Sequence, residues 1–388
     1  MRIALVGPAI PKDIVGDLTA GPVGYGGVAV NALARGLDKL GHSVTTVTGS
    51  TDIDETWEHQ SGRLRIVVVP FRQSPRDRLR TQYALESRRM TNVLKDLESD
   101  VTHAHWTYEF ALAALRSDRY AIVTARDLPW EELRIERRPG LVIRYAMALR
   151  VRRLVRNLTA NSAYTARGWR RQMLYHDPIP VVPNPVAFPE GWTFASHLID
   201  SPSSSAIRAL CISNTGSAKN VPDLLRAWPA IHSGFDGSVL HLVGASLTPR
   251  FVKESLGYLP PSIEFHGHQE RSEVFSLIDS SDVLLHPSIQ ETIGNPVIEA
   301  MSRGLPVVAD RRCSAVSSIL GNGDRGALAS FAEPKQVLRA VHEATDDSVA
   351  ARDRRMRALH YSEAEFSPES VAKRWTAIYE KVAESSRR

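Results

Sequence analysis

The sequence predicts an α/β protein of two domains, each a parallel sheet with helices on both faces. Three observations predict it. Short apolar runs alternate with segments of helical period from the first residues onward. The alternation breaks over residues 189–205, which end in the linker-like SPSSS. It then restarts and continues toward the C-terminus, and a length of 388 residues suits two domains.

Taken in order, residues 2–6 are apolar and read as a first strand. A glycine-rich loop follows, with Gly16, Gly21, Gly24, Gly26 and Gly27. Val28, Val30, Leu33, Leu37 and Leu40 then mark one helix face, and Gly41 stops that helix. Strands are expected at 43–48, 64–70, 101–104, 121–125 and 157–160, with a closing strand at 179–182. Helices are expected at 81–97 and, strongly basic, at 141–155. Past the linker, strands are expected at 209–213, 239–243, 263–266 and 283–286, and helices at 221–232, 250–256 and 271–280. Asn295 and Pro296 read as N-cap and first residue of a helix ending at Gly304, before a buried strand at 305–309. Ser367-Pro368-Glu369 has the cap, proline and acidic first turn of a helix start. Val371, Trp375, Ile378 and Val382 form one apolar stripe on it, so this last helix must dock; the residues alone allow either domain.

Composition narrows the function classes. Hydrophobic residues are 43% and charged residues 23%, as in a folded globular protein. No apolar run approaches the roughly 20 residues of a membrane span. The N-terminal run lacks a signal-peptide pattern and reads as a strand of a cytoplasmic protein. Cys211 and Cys313, the only cysteines, are too few for a disulfide framework or a cysteine zinc site. A net charge of +5 fits an anionic ligand, a membrane surface or nucleic acid without choosing among them. Eight arginines (144, 150, 152, 153, 156, 167, 170 and 171) occur between residues 144 and 172 with no Asp or Glu. They read either as a solvated face or as a surface for an anionic membrane or a phosphorylated acceptor. Nucleic acid is not expected, because aromatic interleaving and helix-turn-helix spacing are missing.

The chemistry concentrates in residues 287–308, PSIQETIGNPVIEAMSRGLPVV. Glu291 and Glu299 flank a turn at Gly294-Asn295-Pro296. Two carboxylates beside a helix start can grip a ligand rich in hydroxyls while free N–H groups face its anionic part.

The order Pro287-Ser288, Glu291, Gly294, Glu299-Ala300-Met301, Gly304-Leu305-Pro306-Val307-Val308 resembles the signature of the GT-B glycosyltransferases of family 4. The resemblance covers nearly the whole chain. Gly26-Gly27, the run from Ser99 to His105, Leu158 to Ser162, and Val182 to Val186 are similar to further family segments. It implies two Rossmann-like domains facing each other across a cleft, with the terminal helix, 367–385, crossing back to the first. Residues 1–187 would then bind the acceptor, 188–205 link the domains, and 206–366 bind a nucleotide-sugar donor. Lys219 falls at the family's phosphate-binding lysine. Glu299 would bind the ribose, and Glu291 with the backbone N–H groups of Ile293, Gly294 and Asn295 the sugar hydroxyls. Gly26 and Gly27 would approach the phosphate or the acceptor. Asn214 belongs to the donor loop, and His268 to the segment 266–270 that would meet the base. Family members retain anomeric configuration, commonly by a front-face route, and need neither cofactor nor metal.

Three departures stand out. Many relatives have V-T-x-H-D where this chain has Val123-Thr124-Ala125-Arg126-Asp127, so Arg126 replaces a donor-contacting histidine. An arginine neutralises phosphate but does not act as a base. The family's G-R before the lysine reads Ser213-Asn214, so Arg126 is expected to compensate for a lost cation. A family glycine pair is replaced around Arg312-Cys313-Ser314, through either an acceptor contact or loop drift.

Asp52-Ile53-Asp54 has the D-x-D form of a metal motif but is expected to be solvated surface. Gly24-Tyr25-Gly26-Gly27 is not a dinucleotide fingerprint, and no acidic residue ends the next strand. His103 and His105 are expected on opposite faces of their strand, against a joint metal site. A phosphorylase or sugar-phosphate glycosyl synthase, and a non-catalytic nucleotide-sugar-binding module, stay open as alternatives to a transferase.

Overall fold

The structure is a computed structural model and describes residues 1–16, 21–136, 138–196, 199 and 206–387. It divides into two compact units, Met1–Ala187 with Ser367–Arg388, and Phe188–Phe366. Each is a parallel α/β sheet between layers of helices.

The first unit holds β1 (Arg2–Val6), β2 (Ser43–Ser50), β3 (Trp57–Ser61), β4 (Leu64–Pro70), β5 (Val101–His105), β6 (Ile122–Ala125) and β7 (Asn157–Ala160), in the order β3-β4-β2-β1-β5-β6-β7. All pair in parallel except β3, which runs antiparallel to β4. The central strands are buried almost throughout because helices cover both their faces. The second unit holds β8 (Arg208–Ile212), β9 (Val239–Val243), β10 (Ile263–Gly267), β11 (Val283–His286), β12 (Val307–Asp310) and β13 (Ala327–Ala329), in the parallel order β10-β9-β8-β11-β12-β13.

Several elements differ from the sequence expectation. The strand expected at 179–182 is one isolated bridge, Ala160 with Val181. The helix expected at 81–97 runs Ala84–Asp96, and an unread helix, Pro75–Arg80, precedes it, parted from it by left-handed Gln82 and Tyr83 (φ 50° and 52°). β3 went unread because WEHQS is exposed and polar, an edge strand without an apolar alternation. The helices Glu109–Ser117, Pro129–Glu136 and Ala163–Gln172 were also unread. In the site segment Gly294, not Asn295, is the cap, and the following strand is Val307–Asp310. Residues 200–205, with SPSSS, lie outside the described residues. The segment before them packs as part of the second unit: Phe188 meets Phe194 and Phe275 edge-on, with ring centroids 4.9 and 5.4 Å apart.

The terminal helix Pro368–Arg387 docks on the first unit. Its Val371, Ala372, Trp375 and Tyr379 are buried in one cluster with Ile3, Leu5, Leu33 and Leu37. Gly36 makes the approach feasible, since a Cβ there would lie 2.6 Å from the Pro368 carbonyl oxygen. The Tyr379 hydroxyl bonds His103 Nδ1 at 2.7 Å, and the Trp375 ring lies 4.1 Å from the His103 ring. Trp375→Ala is expected to cost about 3–5 kcal/mol, the usual range for truncating a buried aromatic. Urea unfolding of the variant measures it; a loss below about 1 kcal/mol would show that the helix is not integral to the first unit's core.

Candidate active site

In each sheet the strand order reverses beside the first strand. β9 and β10 lie to one side of β8 and β11 to the other, as β2 and β5 flank β1. At such a reversal the helices diverge, and the loops at the carboxyl ends stand free for a ligand.

In the second unit the loops after β8 and β11 meet there. Ser217–Lys219 is a single 3-10 turn ending at left-handed Asn220 (φ 52°). Asn220 Nδ2 donates to the Pro287 carbonyl at 3.2 Å, and the Ile289 N–H to the Ala218 carbonyl at 2.9 Å. These two bonds fix Lys219 opposite Glu291, with Nζ 2.6 Å from Oε1. His286, buried at the end of β11, has Nε2 3.5 Å from the same oxygen. Burial pushes the Glu291 carboxyl up, but His286 and the Lys219 ammonium outweigh it and hold the group down at about 2.

Gly294 begins the next helix at φ 80°, and a Cβ there would come 2.8 Å from Val316. The turn therefore needs glycine, and it sets Ile293 inward, Asn295 half-buried and Glu299 on the following turn. Glu299 accepts from Arg271 Nη2 at 3.0 Å, and Arg271 lies over the Phe275 ring at 5.3 Å. Sequence reading missed Arg271, which is 28 residues away and carries no motif. The exposed Asn214 folds onto its own loop, its Oδ1 accepting from the Gly216 N–H at 2.9 Å. His268 is exposed in the loop after β10. Arg312 is bound to Asp310 at 2.7 Å and Asp223 at 3.3 Å, which ties it into the fold.

In the first unit Gly27 (φ 99°) caps the helix Val28–Lys39, and a Cβ there would lie 1.9 Å from the Pro8 carbonyl oxygen. Gly26 (φ 67°) faces open space. Arg126, following β6, donates from Nη2 to His105 Nδ1 at 2.8 Å. Burial lowers the guanidinium to about 10, so it stays charged at neutral pH. His103 and His105 do not face opposite ways: residues two apart on a strand share a face, and their ring centroids are 4.1 Å apart. Burial, with the charge of Arg126, holds both far below the ordinary histidine value and keeps them neutral.

Beside them lies a group that the sequence reading did not assemble. Trp106, just past β5, has a left-handed backbone (φ 78°), a strained state for a bulky residue that favours functional positions. Tyr25 of the glycine loop packs against Trp106, Phe71 and Phe110. Burial pushes Glu109 up to about 7, and burial and Asp127 together push Glu132 up to about 8. Arg144 reaches into this group, 5.2 Å from the Tyr108 ring, and so leaves the arginine run. Arg152 also turns in, donating to the Leu174 carbonyl at 2.6 Å. Arg150, Arg153, Arg156, Arg167, Arg170 and Arg171 remain exposed. The Asp52 carboxylate is exposed but occupied, accepting from the Val23 N–H at 2.8 Å, and Asp54 is exposed.

Residues 26–188 match the family description Glycosyltransferase Family 4, and residues 206–347 match Glycosyl transferases group 1. Glycogen synthase of Mycobacterium tuberculosis is 23% identical over 190 residues, 48% of this chain and 45% of that protein. N-acetyl-alpha-D-glucosaminyl L-malate synthase of Bacillus anthracis is 27% identical over 173 residues, 43% of this chain and 44% of that protein. The matches thus span about half the length of these curated relatives. Sucrose-phosphate synthase from Thermosynechococcus elongatus superposes with a TM-score of 0.73 at 16% identity, over 99% of both chains. HepE from Anabaena, solved in complex with UDP-glucose, superposes with a TM-score of 0.64 at 16% identity, over 100% of this chain and 99% of that one.

The Glu291 shift carries a pH prediction. Its folded value of about 2 lies below the ordinary 4.5, so folding favours the carboxylate. The stability it contributes is present above pH 4.5 and is lost as pH falls through that value toward about 2. Urea unfolding should therefore show wild type more stable than Glu291→Gln at neutral pH, with the gap narrowing in acid. A gap independent of pH would contradict the assignment.

Proposed function

The chain belongs to family 4 of the GT-B-fold glycosyltransferases, and we propose that it moves a sugar from a nucleoside-diphosphate donor to a hydroxyl acceptor, with retention of configuration and without a metal ion. The observation that carries this reading is the Lys219–Glu291 pair at the reversal of the second sheet.

Three demands follow from the reaction: the sugar must be oriented, the departing diphosphate neutralised, and oxocarbenium-like charge tolerated. Lys219 meets the second as the donor displaces Glu291 from it. Glu291 and the backbone N–H groups of Ile293, Gly294 and Asn295 then hold sugar hydroxyls. Glu299, oriented by Arg271, takes the ribose. Gly26, Gly27 and Asn214 belong to the loops that receive the donor, and His268 to the segment facing the base. His286 also lowers the Glu291 carboxyl, independently of Lys219, and so keeps it a weaker base and a weaker nucleophile. That suits gripping rather than displacement, and so supports a front-face route. Arg126 supplies a cation where relatives carry a histidine, and its charge at neutral pH supports a phosphate-facing role.

Residues 1–187 take the acceptor in this reading. Their six exposed arginines and exposed Val142, Leu154 and Leu174 all fall within residues 142–174, a combination suited to an anionic membrane surface. No helix among the described residues is long and apolar enough to cross a membrane. The protein is proposed to act in the cytoplasm, touching the inner membrane face.

HepE, solved with UDP-glucose, makes that compound the first donor to try. A thermal-shift screen of uridine, guanosine, adenosine and thymidine diphosphates and their sugars is expected to show one base stabilising the protein. Lys219→Ala should abolish that shift and lower kcat/KM by about 10²–10³-fold, the usual loss on removing a charge-stabilising donor. Tight donor binding without turnover over a broad acceptor panel would instead favour a binding module. Unchanged turnover and donor affinity in Arg126→His would remove Arg126 from the mechanism.

Co-sedimentation with anionic vesicles at low salt tests the membrane surface. Binding is expected and should weaken as salt rises. No binding at low salt would eliminate that part of the reading.

A further inference from the structure

The second unit carries a cluster of ligand-type side chains with no chemical step assigned to it in the transfer reaction, although His266 begins the segment that would face the base. His241 lies on β9, and Glu264 and His266 lie on the neighbouring strand β10. Parallel register sets His241 directly beside Glu264. His266 is two residues further along β10, where the register shifts between Phe265 and Gly267. Such irregularities are rare in parallel pairs, and their usual effect is to re-aim one side chain. His266 sits at this shift, on the same face of the strand as Glu264, and its Nε2 lies 2.9 Å from His241 Nδ1. Glu264 Oε2 lies 3.3 Å from His241 Nδ1 and 4.0 Å from His266 Nε2.

We propose that His241, Glu264 and His266 form a binding site for a divalent transition metal of the zinc class. Bonds of about 2.0–2.1 Å in tetrahedral geometry set ligand atoms about 3.3–3.4 Å apart. The three separations bracket that value, so metal entry requires only small side-chain rotations. Two imidazoles and one carboxylate select zinc, cobalt or nickel over calcium and magnesium, which prefer all-oxygen shells. Three protein ligands leave a fourth position for water or a small anion. Both histidines are half-buried and Glu264 is exposed, so an ion can enter from solvent at the carboxylate side. Among the charges acting on His241 is the Arg208 cation. Asp282 engages it through two hydrogen bonds of 3.1 and 3.0 Å, which reduces its opposition to a bound ion.

The site has a structural consequence. β10 is the outermost strand of its sheet, held laterally by β9 alone. A metal bridging the two strands clamps that edge and fixes the start of the loop at 267–270. It lies one strand further out than the β8–β11 reversal and shares no residue with the Lys219–Glu291 pair.

The test is a zinc titration of the tag-free protein by calorimetry, backed by the visible spectrum of its cobalt form. One ion per chain is expected, with affinity falling at least tenfold in His241→Ala and in His266→Ala and less in Glu264→Gln. His360→Ala, exposed elsewhere on the same unit, should bind as wild type does. The cobalt form should show the intense bands of a tetrahedral site. Absence of binding, or binding unchanged in the two histidine variants, would overturn the proposal. If a histidine variant fails to fold, the wild-type cobalt spectrum decides: tetrahedral bands uphold the site, and the weak bands of an octahedral ion refute it. Donor binding is measured separately, so loss of the metal site and loss of the transferase reading remain distinguishable.

Discussion

Parallel strands connected by right-handed crossovers impose the constraint on which both units depend. Each crossover places a helix on one face of the sheet, and when successive crossovers leave the first strand in opposite directions, a crevice opens at its carboxyl end. β8 and β11 flank one such reversal, and β1 and β5 the other. There, loops from distant parts of the chain converge. Lys219 and Glu291, 72 residues apart, meet for this reason. So do the Gly26-Gly27 loop and the strand end that carries His105 and Trp106.

The two crevices differ in electrostatic character. The second unit holds a fully ionised pair, because the lysine and His286 outweigh the cost of burying the carboxylate. The first holds neutral imidazoles under a charged Arg126, and carboxyls that burial pushes toward neutral pH. An ionised pair at the second crevice can exchange partners with a phosphate and a polyol. The carboxyls among aromatic rings owe their raised values instead chiefly to desolvation. Arg144 illustrates how placement changes meaning: eight arginines form one run in the sequence, yet this one sits among acids and aromatic rings.

Legibility in the sequence followed the physical origin of each signal. Buried strands were readable where burial on both faces favours unbroken apolar runs, as in ALV, VVV and VLL. Gly27 and Gly294 were readable because positive φ and close backbone approach exclude other residues. β3 was not, since an exposed edge strand needs no apolar pattern. The break at Gln82 and Tyr83 was not, since neither residue type advertises a left-handed backbone. The His103–His105 expectation failed on strand period itself: a two-residue repeat places both on one face, where Tyr379 and Trp375 then cover His103.

By itself the sequence determined the α/β alternation, its interruption over residues 189–205, and the ordered run from Pro287 to Val308 that bears Glu291 and Glu299. Those are local properties, set by periodicity, turn chemistry and residue order. Tertiary structure alone decided the partners: Lys219 and His286 for Glu291, Arg271 for Glu299, His105 for Arg126, and Glu264 and His266 for His241. The reason is that sheet order and register, which no short stretch of sequence encodes, fix which strand ends become neighbours.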